Sequence, residues 1–143
     1  MDQWKGTFLD KLNQAQAHWV KRFEDALDNN FLPVCDDYKT FLADNGFRFS
    51  VPLREPGRRS FKFELAENAY VLMIFRSAGV GEFELHVESF VPGSEPVLTK
   101  LTTRVTDLVE SWSTQQLRAG LDGFVDLLAG STKSEPVEEL VGV

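Results

Sequence analysis

The spacing of the apolar residues changes twice along this chain, and this limits the folds that the chain can adopt. Up to residue 45, apolar side chains recur at steps of three and four, as on one face of a helix. From Phe47 to Phe90 they mostly alternate with polar side chains, as in strands that bury one face. After "VPGSEP" the helical spacing returns. The pattern predicts an α+β domain in which helices pack on an antiparallel sheet.

Two helices are predicted before the sheet. The first has an apolar stripe and ends at Asp28-Asn29-Asn30. The second covers "FLPVCDDYKTFLADNG", where Asn45-Gly46 supplies the residue that ends a helix. The stripe of the first helix consists of Trp4, Phe8, Leu12, Ala15, Trp19, Phe23 and Ala26 or Leu27.

Four strands and two further helices complete the predicted order, helix-helix-four strands-helix-helix. The strands fall near residues 47–54, 61–65, 69–77 and 82–88, and their short connections allow only antiparallel neighbours in a meander. Residues 98–112 and 113–128 then repeat the helical spacing. We expect one domain over residues 1–130 and a mobile tail over residues 131–143.

The third strand, "NAYVLMIFRS", is apolar on both faces, unlike its neighbours. If the three hairpins preserve parity, Tyr70, Leu72 and Ile74 join the phenylalanines of the neighbouring strands in the core. Val71, Met73 and Phe75 then lie on an otherwise charged face. A helix of the same chain, the alkyl stems of charged neighbours, or another protein chain could cover them. The predicted interaction site consists of Val71, Met73, Phe75, Lys62, Glu84, His86 and Glu88.

The two edges of the predicted sheet differ. Pro52 cannot donate to a ladder, which marks the first strand as a blocked edge. The fourth strand has no proline until Pro92, so its backbone could accept a strand from a partner.

Few residues are spaced for chemistry. A row of Glu82, Glu84, His86 and Glu88 could hold a divalent metal, although a solvated strand face is the favoured interpretation. Arg54, Arg58 and Arg59 form the only basic cluster and are a possible anion site. Cys35 lies at a helix start, but Asp36 and Asp37 oppose thiolate formation and nothing brings His18 near it. We therefore expect no catalytic residue, metal or cofactor.

The bulk properties narrow the partners and the compartment. The net charge of −7 and the pI near 4.8 argue against binding to nucleic acid or anionic membrane. No apolar run is long enough to span a membrane, and we expect no signal peptide. A single cysteine is typical of a reducing cytoplasm.

These observations favour a small acidic protein-interaction module, an adaptor that resembles a chaperone in size and charge. We expect it to be a homodimer that uses the outer face of the third strand or the edge of the fourth. The alternative is a domain that binds an apolar small molecule between the sheet and the helices. An enzyme is the least favoured class, because no catalytic motif occurs.

Overall fold

A computed structural model describes residues 3–141 of the chain, with side chains for residues 3–130. Along the chain, helical segments precede and follow an antiparallel sheet. The elements are α1 (Gln3–Ala26), a π-helical turn (Leu27–Phe31), α2 (Leu32–Asp44), β1 (Arg48–Ser50), β2 (Arg54–Glu55), β3 (Arg58–Ala66), β4 (Ala69–Ala78), β5 (Glu82–Phe90), β6 (Val97–Arg104), a 3₁₀ turn (Val105–Asp107) and α3 (Glu110–Val141).

The two predicted N-terminal helices form one continuous helical stretch. The expected stop at Asp28-Asn29-Asn30 is wrong, because these residues belong to the π-helical turn. Pro33 has no N–H to donate, and its ring crowds the carbonyl four residues earlier, so the helix widens here instead of ending. The Asn30 side chain also donates to the carbonyl of Leu108, at 2.9 Å, and this hydrogen bond joins the turn to the segment just before α3.

The sheet has six strands rather than four. Its order is β1-β3-β4-β5-β6, with the short β2 also paired to β3. The helix predicted over residues 98–112 is wrong, because residues 105–107 form only the 3₁₀ turn, α3 starts at Glu110, and residues 97–104 form β6 against β5. Three threonines and a valine in this segment favour a strand. One helix, α3, follows, so the α+β class and the antiparallel sheet are confirmed, but the strand and helix counts are not.

The core lies between the helices and one face of the sheet, here called the inner face. Phe23 of α1 packs on Phe83, and Phe31 of the π-helical turn packs on Phe75. α3 approaches the same face at Gly120, where an added Cβ would stand 3.7–3.9 Å from Val71, Met73 and Val87. These helices therefore sit together on the inner face, and the opposite side of the sheet is called the outer face.

The predicted faces of β4 are wrong, because a β-bulge shifts the register between β3 and β4. Glu64 pairs with Tyr70, but Ala66 pairs with Ala69, so Leu65 is the extra residue. The turn at Glu67-Asn68 is the predicted one, yet it has no residue with positive φ. Two-residue hairpins prefer positive φ because it matches the twist of the strands, and the bulge takes up the mismatch.

A second parity change restores the predicted faces of β5. Ala78 pairs with Glu82, so the loop contains three residues, 79–81, and not the four that we expected. Phe83 and Leu85 therefore face the core as predicted, and only β4 is inverted. The mobile tail predicted for residues 131–143 lies outside the residues whose side chains the structure describes, and stays a prediction.

Candidate interaction surfaces

The three apolar residues at the centre of the predicted interaction site are inside the core. Val71, Met73 and Phe75 are each at most 1% exposed. They face α3 and the π-helical turn, so the first of the three possible covers, a helix of the same chain, is the correct one. Their assignment to a partner surface is wrong because of the bulge at Leu65.

The four charged members of the predicted site do lie on the outer face. Lys62, Glu84, His86 and Glu88 surround the residues of β4 that the bulge turned outward, Tyr70, Leu72 and Ile74, which are half-buried. Lys62 reaches over the Tyr70 ring, with Nζ 4.5 Å from its centroid. Tyr70 donates to Glu88 at 2.5 Å, and this hydrogen bond raises the pKa of Tyr70 to about 12. The chain's own side chains thus cover much of this apolar row.

Three basic side chains of the outer face lie close to the carboxylate of Glu84. Arg76 donates to Oε1 at 2.6 Å, Nε2 of His86 lies 3.0 Å from the same atom, and Lys100 stands 3.7 Å from Oε2. The hydrogen bond from Arg76, followed by that with His86, lowers the pKa of Glu84 from 4.5 to about 2. The described residues contain no cluster of three or more potential metal ligands, and within the glutamate row it is Glu84 that forms the ion pairs.

The three arginines of the possible anion site do not converge. Arg54 and Arg59 pair across β2 and β3 on one face, while Arg58 faces the opposite side beside Arg76. Arg59 is nearly buried, and its Nη1 donates to Asp28 at 2.7 Å. The three arginines do not form the predicted cluster, and anion binding by any of them individually stays a prediction.

Cys35 is fully buried, and burial raises the pKa of its thiol to about 12. A buried thiol of this kind is a poor nucleophile, as the sequence indicated.

The sequence predicted that the fourth strand is a free edge of the sheet, but the edge lies one strand further along. β5 lies inside the sheet, and β6, with exposed Val97 and Leu98, is the edge in its place.

A cleft remains between α3 and the last two strands. Its volume is about 210 Å³. α3 passes over β4 and β5 and leaves the inner side of β6 open, while small residues of the helix form the opposite wall. The lining residues are Leu85, Val87, Ser89, Val97, Thr99, Leu101, Gln116, Ala119, Gly120 and Gly123.

The first two thirds of α1 carry four of the large hydrophobic side chains that are exposed in the described chain. Residues 3–18, here called the arm, contain no buried residue, and Phe23 is the only buried residue of α1. Trp4 is 66% exposed, Phe8 47% and Leu12 39%, and Trp4 stacks on Phe8 with a centroid distance of 5.2 Å. These residues recur every four positions, so they form one stripe along the helix.

The charges of the arm are arranged around this stripe. At about 100° per residue, Lys5 and Lys11 flank the stripe on either side, and Asp10 lies on the opposite face of the helix. Neither lysine forms an ion pair with a described residue. The arm is thus an apolar strip with basic margins on an acidic protein.

A second exposed apolar surface lies between α2 and α3, and it is here called the α2–α3 groove. It encloses about 340 Å³. Phe41 is 64% exposed at one wall and Val125 is 49% exposed at the other. Arg118 is exposed, and its Nε donates to the Tyr38 hydroxyl at 2.5 Å. The groove is lined by Tyr38, Phe41, Leu42, Asn45, Phe47, Arg118, Leu121, Asp122 and Val125.

Sequence reasoning found the arm's stripe but did not predict that it is exposed, and it missed the groove. The sequence does carry a signal that the stripe is exposed, because Gly6 and the polar residues between Leu12 and Trp19 leave few apolar side chains to bury. The groove joins residues more than 70 positions apart and has no local signature. No helix of the described residues is long and apolar enough to cross a membrane. No family model matches the chain, and no curated protein or solved structure matches it either.

Proposed function

We propose that this chain is a small protein-interaction module, of the adaptor or chaperone-like kind, that works as a homodimer held by its arm. The single observation that carries the proposal is the exposed stripe of Trp4, Phe8 and Leu12. Large apolar side chains that stand together on a helix surface are typical of a contact with another chain. The lone buried Cys35 suits a reducing compartment such as the cytoplasm.

The proposal names a second copy for reasons of charge. The whole chain carries a net charge of −7, which would repel a copy approaching at random. The arm instead presents Lys5 and Lys11 beside its stripe and turns Asp10 away. A basic strip on an acidic protein attracts the remaining surface of an identical molecule.

The magnitudes are consistent with a dimer. Full burial of a large apolar side chain is worth roughly 1.5–3 kcal/mol. Association costs roughly 4–15 kcal/mol in lost freedom of motion. Three or four partly exposed side chains on each of two arms reach this range but do not greatly exceed it, so the arms need an apolar surface to receive them.

The test compares the solution mass of two variants. Phe8→Glu places a carboxylate in the stripe and should reduce a dimer to the chain mass of 16.2 kDa, measured by light scattering after gel filtration. The matched control is Leu98→Glu, since Leu98 is 69% exposed on β6, outside both the arm and the α2–α3 groove. The control should keep the mass of the parent protein, and equal masses for both variants would contradict the proposal.

A second candidate function is supported by the cleft between α3 and the last two strands. An apolar small molecule could occupy its 210 Å³. Gly123 faces open space, since an added Cβ meets nothing within 4 Å. Gly123→Leu should fill the cleft and abolish binding of an apolar fluorescent dye, while unchanged dye binding would exclude this cleft.

A further inference from the structure

We infer that the α2–α3 groove of one copy receives the arm of a second copy. This rests on the proposed homodimer and identifies the surface that the arm contacts. The first argument is where the apolar surface lies. Of the ten large hydrophobic residues that are exposed in the described chain, four belong to the arm and two, Phe41 and Val125, stand on the walls of the groove.

The second argument is shape. The stripe of the arm places Trp4, Phe8 and Leu12 in a line at steps of four residues, which is how an amphipathic helix enters a groove between two other helices. The groove is open along its length, with α2 on one side and α3 on the other. Aromatic side chains such as Trp4 and Phe8 are the usual anchors of such contacts.

The third argument is charge complementarity. Asp37 and Asp44 lie four residues before and three after Phe41, so on α2 they flank this exposed wall residue of the groove. Asp122 lines the groove on α3, and Asp126 follows it one turn later. No ion pair joins any of these four exposed carboxylates to a described residue.

The two surfaces therefore match in both respects. An apolar stripe with basic margins faces an apolar groove with acidic margins, and Arg118, the one cation among the described residues that line the groove, is already engaged with Tyr38. Charges of opposite sign at the rim set the orientation and speed of association, while the apolar centre supplies the affinity. If each copy inserts its arm into the other, the contact closes as a dimer.

The experiment is a mixing test with two variants of the full chain. Phe8→Glu damages the arm and leaves the groove intact, whereas Phe41→Glu damages the groove and leaves the arm intact. Each variant alone should run as a monomer. An equimolar mixture should recover a dimer mass, because one intact arm then meets one intact groove, with an affinity weaker than that of the parent by roughly tenfold or more.

The possible results separate the inference from the proposed function. If Phe8→Glu dissociates the dimer but Phe41→Glu does not, the arm holds the dimer by pairing with another arm or another surface, and the inference is overturned alone. If the parent protein is a monomer at all concentrations, both are overturned. Val125→Glu on the opposite wall repeats the groove test, and a mixture of Phe8→Glu with either groove variant that stays monomeric also refutes the inference.

A charge exchange provides an independent check. Lys5→Glu with Lys11→Glu should weaken the dimer, and adding Asp122→Lys with Asp126→Lys in the same chain should restore it. A dimer that the first pair leaves unchanged, or that the second pair fails to restore, would show that the acidic margins are not the arm's contact.

Discussion

Phe61 lies directly opposite Met73 across β3 and β4, and both side chains are completely buried. Simple hairpin parity pairs Phe61 with Ile74 instead. The one-residue difference comes from the bulge at Leu65, and it decides which face of the largely apolar strand β4 forms the core.

Substitutions at adjacent positions of β4 should therefore differ greatly in cost. Met73→Glu buries a carboxylate beneath α3 and should destabilise the fold by more than about 4 kcal/mol. Leu72→Glu places the same side chain on the outer face opposite Lys62 and should cost about 1 kcal/mol. Urea unfolding followed by tryptophan fluorescence measures both, and a larger loss for Leu72→Glu would mean that the register is wrong.

Two glycines should respond to alanine with opposite signs. Gly123 lies inside α3 and faces open space, so Gly123→Ala should stabilise the protein by roughly 0.5–1 kcal/mol through helix propensity. Gly57 has a φ of +75° in the β2–β3 turn, and its N–H donates to Glu24 at 2.7 Å. Gly57→Ala should lower stability by about 1 kcal/mol or more, and thermal melts of the two variants should shift in opposite directions.

The Cys35 thiol should be unreactive in the folded protein. It is inaccessible, and burial raises its pKa to about 12, so both exposure and thiolate are lacking near neutral pH. A chromogenic disulfide reagent should react with it only at the rate of unfolding, and quickly in concentrated urea. Fast modification of the folded chain would show that α2 does not hold this residue in the core.

The Glu84 network predicts a particular loss of stability in acid. The pKa of Glu84 is lowered in the folded protein, so its contribution is complete above the ordinary value of 4.5 and is lost as pH falls towards 2. Glu84→Gln should reduce the decline of the urea midpoint between these two pH values. Glu82→Gln on the same strand face is the control, and an identical acid profile for the parent and Glu84→Gln would contradict the network.

Local patterns in the sequence predicted much of the fold, whereas long-range relationships did not follow from them. The helical N-terminal stretch, the positions of the first three turns of the sheet and the inward faces of Phe61, Phe63 and Phe83 were readable from period and turn residues. The inward face of β4 was not readable, because a strand that is apolar on both faces does not indicate which face is buried. The bulge before β4 and the three-residue loop after it each shift the register by one residue, and the two shifts cancel at β5. The predicted registers of the hairpins were consistent with one another, so they gave no indication that the faces of β4 were inverted.

The errors at the two ends of the sheet have other causes. Residues 97–104 have leucines at helical spacing, but pairing with β5 outweighs that weak preference. The stop at Asp28-Asn29-Asn30 failed because tertiary contacts of Leu27 and Phe31 hold the helix through it. Of the predicted interaction site, only the charged members are on the surface, since β4 is inverted.

The proposal that the arm holds two copies together is tested most directly by the mass of the unmodified chain in solution. Sedimentation equilibrium over a wide range of protein concentration should give twice 16.2 kDa at the upper end, with dissociation on dilution. A mass of 16.2 kDa at every concentration would contradict it, because the stripe of Trp4, Phe8 and Leu12 would then remain in water.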